Sequence, residues 1–125
     1  MAGTFRALII DDDRDLLLLV RKTLEFMAGW EVVTASSGAA GIELARSAVP
    51  PPNVVVVDVM MPEMDGYEVC RRLKADPATA GVPIVLLTAR RDLDQRRLTA
   101  AGAAGVLLKP FQPDQLARQL RELCP

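Results

Sequence analysis

The chain has no histidine among its 125 residues. An imidazole base, an imidazole metal ligand and a phosphohistidine are therefore all excluded from its own chemistry. Cysteine is scarce as well. Cys70 and Cys124 stand far apart, form neither a metal-binding nor a disulfide pattern, and suit a reducing compartment. Charge of either sign is not in excess. The formal net charge is −1, which argues against general binding to nucleic acid or to a membrane surface. No apolar run approaches the ~20 residues needed to span a bilayer. The opening MAGTFRALIIDDD lacks the basic segment and long apolar stretch of a signal peptide. Linkers, repeats and low-complexity tracts are missing too. The expectation is a single soluble, cytoplasmic domain over residues 1–125, with half its residues apolar and a quarter charged.

What is present centres on residues 53–62, NVVVVDVMMP. Four valines in a row, bounded by prolines, read as a strand buried on both faces, which is the habit of a central parallel strand. Asp58 ends that strand. A carboxylate at the carboxyl tip of such a strand can meet solvent and ligand.

The remaining chain alternates in period. Residues 5–10 (FRALII) form a first strand and run into Asp11-Asp12-Asp13. Asp13 is a candidate N-cap for a helix whose inner face is Leu17, Val20, Leu24 and Met27, and Gly29 ends it. Residues 30–35 are a second strand. Residues 39–47 are a second helix, with Ile42 and Ala45 inward, and Pro50-Pro51-Pro52 forms a stiff connector. After the valine strand, Asp65-Gly66 opens a third helix bearing Val69, Cys70 and Leu73. Residues 82–87 are a fourth strand, ending at Thr88. Asp92 with Gln95 resembles a capping box for a fourth helix reaching about Ala101. Residues 105–108 are a fifth strand, followed by Lys109-Pro110. Pro113 then suits the first position of a last helix faced by Leu116, Leu120 and Leu123. Five strands alternating with five helices predict an α/β fold, a parallel sheet covered on both faces through right-handed crossovers.

In a parallel sheet these strand exits share one edge. Asp11, Asp12, Asp58, Thr88 and Lys109 all sit at such exits. Clustered carboxylates repel one another unless a cation joins them. An all-oxygen site with few protein ligands suits Mg²⁺, with Mn²⁺ as a substitute. Carboxylates beside an ammonium and a hydroxyl meet the needs of phosphoryl transfer, where positioning and charge neutralisation dominate. An aspartate can itself be the nucleophile.

The segments LIIDDD (8–13), VVVVDVMMPEMDGYE (54–68), PIVLLTA (83–89) and AGAAGVLLKPF (101–111) together resemble the receiver domain of two-component response regulators, over essentially the whole chain. The resemblance implies a doubly wound, flavodoxin-like sheet of order 2-1-3-4-5, which makes strands one and three neighbours. It implies that Asp58 accepts a phosphoryl group from a sensor histidine kinase or phosphotransfer protein. Asp12, Asp58 and the main-chain carbonyl of Met60 would ligate Mg²⁺, with Asp11 acting through a metal-bound water. Lys109 would pair with the acyl phosphate and Thr88 would hydrogen-bond a phosphoryl oxygen. The Lys109–Pro110 bond would be cis. The domain would catalyse only its own phosphorylation and dephosphorylation. It would control a downstream partner or output domain through the face made by the fourth helix, fifth strand and fifth helix, without touching nucleic acid or membrane.

The sequence departs from the family at Val106, where members usually carry Tyr or Phe three residues before the lysine. Met60 and Arg90, two residues after Asp58 and Thr88, are placed to shield a phosphoryl group from water and so to slow self-dephosphorylation. The arginines at 90, 91, 96 and 97 read as a solvated face. Two rival readings are a structural interaction module with an idle acidic site and a flavodoxin-like cofactor binder. The latter needs a Ser/Thr/Gly-rich first loop, where this chain is triply acidic. A calcium loop fails because Leu16 and Lys22 stand where Gly and Glu belong. A dehalogenase-type phosphatase fails because Asp15 ends its motif and the chain is short for that fold.

Overall fold

Alternating periods along the chain become alternating elements in a computed structural model, which describes residues 4–124. In chain order these are β1 (Arg6–Ile10), α1 (Arg14–Ala28), β2 (Glu31–Ala35), α2 (Gly38–Ser47), β3 (Val54–Asp58), α3 (Gly66–Ala75), β4 (Ile84–Thr88), α4 (Gln95–Ala101), β5 (Gly105–Leu108) and α5 (Leu116–Leu123). A 3₁₀ turn, Pro113–Gln115, leads into α5. The five strands form one sheet of order β2-β1-β3-β4-β5, with every pairing parallel. The fold and strand order are the expected ones.

Every residue of β3 and β4 is buried, as a strand covered on both faces requires. The two-residue period divides the side chains between two cores. Leu8, Ile10, Val55, Val57, Ile84 and Leu86 meet α2, α3 and α4 on one face. Ala7, Ile9, Val54, Val56, Val85 and Leu87 meet α1 and α5 on the other. This explains an uninterrupted valine run: with helices on both sides, no position of β3 faces water. Register then fixes the site. Ile10 lies beside Val57, and Asp58 beside Leu87, so the carboxyl tips of β1, β3 and β4 finish together.

Caps govern where the helices begin. Asp13 accepts from the N–H groups of Asp15 and Leu16, and Gly29 ends α1 in the left-handed region at φ 69°. Ser37 caps α2 and Asp65 caps α3 through the N–H of Glu68.

Two local expectations are corrected, and the position of Pro113 at a helix start holds with a 3₁₀ first turn. The cap of α4 is Asp94, which accepts from the Arg96 N–H, and Asp92 instead pairs with Arg90. Gln95 is the first helical residue, too early to act as the third residue of a capping box. Replacing Asp94 by alanine is expected to lower stability by about 1 kcal/mol, read in urea unfolding. Met27 is 59% exposed, because α1 turns Ala28 rather than Met27 onto the stripe begun by Leu17 and Leu24. Pro113 opens the 3₁₀ turn, and α5 proper starts three residues later, at Leu116.

Candidate functional site

Asp11 leaves β1 and Asp58 ends β3, each at a tip where the apolar strand stops. Asp11 is fully buried, Asp58 is 6% exposed and Asp12 is exposed. Carboxylate oxygens from all three lie within 4.8 Å of one another. Lys109, just beyond β5, brings its Nζ to 3.2 Å from Asp11 Oδ2 and 3.4 Å from Asp58 Oδ1. Its backbone N–H donates to the Thr88 carbonyl at 2.8 Å, so the ladder between β4 and β5 places it. The Lys109–Pro110 bond is cis, as expected.

The loop after β3 is also fixed from the backbone. The Val59 N–H donates to the Leu87 carbonyl, and the Gly66 N–H donates to the Val59 carbonyl, both at 3.0 Å. A Cβ on Gly66 would come within 2.5 Å of the Asp58 carbonyl oxygen and 2.9 Å of Val59 Cα. Only glycine lets the first turn of α3 rest against the backbone of Asp58.

Electrostatics follow from this crowding. Burial, and then the charge of Asp11, push the Asp58 carboxyl above its usual range, while Lys109 pulls it back in part. Burial raises Asp11 as well, against hydrogen bonding from the Asp13 N–H and the charge of Lys109. Burial disfavours the Lys109 ammonium, but the two carboxylates outweigh it and raise its pKa. Three carboxylates facing one ammonium leave negative charge formally uncompensated, and the donor set is all oxygen. Such a set fits a hard divalent cation, so the acidic cluster could hold a metal.

Thr88 is 1% exposed, and its Oγ1 accepts from the N–H of Arg90 at 3.1 Å. The Arg90 guanidinium turns to Asp92, with contacts of 3.2 and 3.1 Å. Met60 is exposed beside it. These two line a cleft with Asp65, Tyr67 and Arg97. The four arginines are exposed, as the sequence reading has it, and one of them also makes contacts within this cleft. The Arg97 guanidinium lies 4.0 Å from the Tyr67 ring centroid and 3.6 Å from Asp65 Oδ2. Sequence reasoning missed both Tyr67 and Asp65 in this role, since a contact between α3 and α4 leaves no trace in either helix's own period.

A doubly wound parallel sheet with an acidic cluster and a lysine at its carboxyl edge defines an α/β protein of the flavodoxin-like type. The model of the response regulator receiver domain matches residues 7–121, and the chain belongs to that family. It is 39% identical over 119 residues to the DNA-binding dual master transcriptional regulator RpaA of Synechocystis, covering 94% of this chain and 48% of that protein. It is 40% identical over 119 residues to the response regulator MprA of Mycolicibacterium vanbaalenii, covering 94% and 49%. The chain thus spans about half the length of the curated relatives it matches. Among solved structures, the chemotaxis protein CheY4 of Vibrio cholerae superposes with a TM-score of 0.90 at 31% identity, covering 97% of this chain and 99% of that one. The chain is accordingly a receiver domain of the signalling kind and not a classical enzyme. Among the described residues, no helix is long and apolar enough to cross a membrane.

Proposed function

We propose that residues 1–125 form one receiver domain in which Asp58 is the phosphoacceptor. An Asp58 carboxylate oxygen attacks phosphorus, the bond from phosphorus to the donor breaks, and an acyl phosphate remains on Asp58. The donor is a phosphohistidine on a sensor kinase or phosphotransfer protein, whose imidazole leaves. The observation that carries this reading is the buried Asp58 carboxylate, 3.4 Å from the Lys109 ammonium and within a three-carboxylate cluster.

Asp12, Asp58 and the Met60 carbonyl would hold Mg²⁺ or Mn²⁺, with Asp11 acting through water. The ion would supply charge neutralisation for the incoming phosphoryl group. Lys109 neutralises the acyl phosphate from the other side. Thr88 exchanges its bond from the Arg90 N–H for a role as donor to a phosphoryl oxygen. Self-catalysed phosphorylation and dephosphorylation, a cytoplasmic setting, and a downstream partner or output domain reading the face of α4, β5 and α5 belong to the same reading. The partner contacts involve neither nucleic acid nor membrane.

The test is intact mass after incubation with acetyl phosphate and Mg²⁺. One phosphate on the parent and none on Asp58→Asn is the expected result. An unlabelled parent, or equal labelling of the variant, refutes the assignment. A second expectation concerns the lifetime of the acyl phosphate. Met60 is exposed, and it lines with Arg90 a cleft that also includes Val59, the residue after Asp58. Met60→Asn combined with Arg90→Ala should lose phosphate faster than the parent, read as the decay of the phosphorylated mass with time. A decay rate equal to the parent's would contradict the shielding role.

A further inference from the structure

In this chain β5 carries no aromatic ring. Val106 lies beside Leu86 in the register of β4 and β5, aliphatic and half-buried against the core under α4. The single tyrosine stands elsewhere, at Tyr67 in the first turn of α3. It follows Gly66, the residue seated on the Asp58 carbonyl. Its ring is 6% exposed and is covered by the Arg97 guanidinium of α4 at 4.0 Å. The same guanidinium reaches Asp65, whose carboxylate caps α3.

Helix α4 therefore receives two connections from the site. One runs through the chain: Thr88 holds the Arg90 N–H, and the loop that follows ends at the Asp94 cap. The other runs through space, from the Asp58 backbone to Gly66, Tyr67 and Arg97. With 7 residues, α4 is too short to hold itself by its own hydrogen bonds, and only Leu98 and Ala101 are buried on it. A few side-chain contacts decide where it lies. The Arg97 guanidinium over the Tyr67 ring is one of them, worth about 0.5–1 kcal/mol because the cation side remains solvent-exposed.

We propose that phosphorylation of Asp58 reaches α4 through the Arg97–Tyr67 contact. The proposal rests on Asp58 being the phosphoacceptor. When Thr88 turns to a phosphoryl oxygen it releases the Arg90 N–H, and the loop draws α4 with it. Tyr67 stays seated on β3 through Gly66. The two motions meet at Arg97, and α4 takes one of two positions according to whether that contact is made.

The test is hydrogen exchange of the α4 amides, residues 95–101, with and without acetyl phosphate and Mg²⁺, alongside intact mass. In the parent, phosphorylation should change α4 exchange about 2- to 5-fold, the range to which making or breaking an exposed cation–π contact corresponds. Arg97→Ala and Tyr67→Leu should take up as much phosphate as the parent and lose that response. Tyr67→Phe, which keeps the ring face, and Arg96→Ala, an exposed neighbour, should keep it. A full response in phosphorylated Arg97→Ala, a loss in Tyr67→Phe equal to that in Tyr67→Leu, or no α4 change in the phosphorylated parent overturns the coupling. An unlabelled parent instead removes the Asp58 assignment and the coupling together, and is recognised by its unchanged mass.

Discussion

Gly66→Ala is expected to lower stability by about 2–3 kcal/mol and to reduce phosphate uptake at Asp58 at least tenfold. Two effects oppose one another here. Alanine favours a helix over glycine by up to about 1 kcal/mol. Against this, the new Cβ would stand 2.5 Å from the Asp58 carbonyl oxygen and 2.9 Å from Val59 Cα. Both are backbone atoms, one at the buried end of β3 and one in the buried residue after it, and neither can swing aside as a side chain would. The start of α3 must lift, or the tip of β3 must move, and either displaces the acceptor carboxylate. Gly81→Ala is the control, since a Cβ there meets nothing within 4 Å, and it should stay within about 0.5 kcal/mol of the parent. Urea unfolding and acetyl phosphate labelling of both variants check the pair. A Gly66→Ala protein with parental stability and labelling would refute the argument.

Lys109→Met should produce the second large effect, a loss of about 2–3 kcal/mol near neutral pH without divalent cation. Removing one partner of a fully buried pair costs ~3–5 kcal/mol, and the figure here is reduced because Lys109 keeps a quarter of its side chain in solvent. The loss arises from Asp11 and Asp58, left buried, close together and without a cation. Its pH dependence has a definite sign. Both carboxyls have folded-state values above the ordinary 3.8. The folded state thus binds protons more readily than the unfolded one. Stability from this source is fully present below 3.8 and is lost as pH rises through the raised folded values. The variant should therefore lie closest to the parent in mild acid and furthest from it at neutral pH. Lys109 itself acts in the alkaline range, its contribution present below 10.5 and lost above its raised value. Added Mg²⁺ should recover part of the deficit at neutral pH, because a cation bound only by the folded state stabilises it. A deficit that grows on acidification, or that ignores Mg²⁺, would contradict the electrostatic origin.

Much of this molecule was readable from local pattern. The valine run told of burial on both faces because a strand's two-residue period leaves no third side for water. Asp13, Gly29 and Asp65 were legible as helix boundaries because capping acts over one to four residues of chain. Misplacing the α4 cap shows the limit of the same logic. Asp92 and Asp94 carry one functional group two residues apart, and which of them caps depends on where the loop leaves β4. Met27 shows it again at the last turn of α1, where the stripe through Leu17 and Leu24 falls on Ala28 and leaves Met27 exposed.

The sequence by itself determined the alternation of strands and helices and the placing of Asp11, Asp12, Asp58, Thr88 and Lys109 at strand exits, because both depend on interactions between near neighbours in the chain. Tertiary structure alone decided the distances. Lys109 reaches Asp11 across 98 positions of sequence, Arg97 finds Tyr67 from another helix, and Arg90 turns to Asp92. Contacts of that kind depend on strand order, register and the packing of helices over the sheet. Each of these is set by the free energy of the whole core, in which no single segment holds both partners.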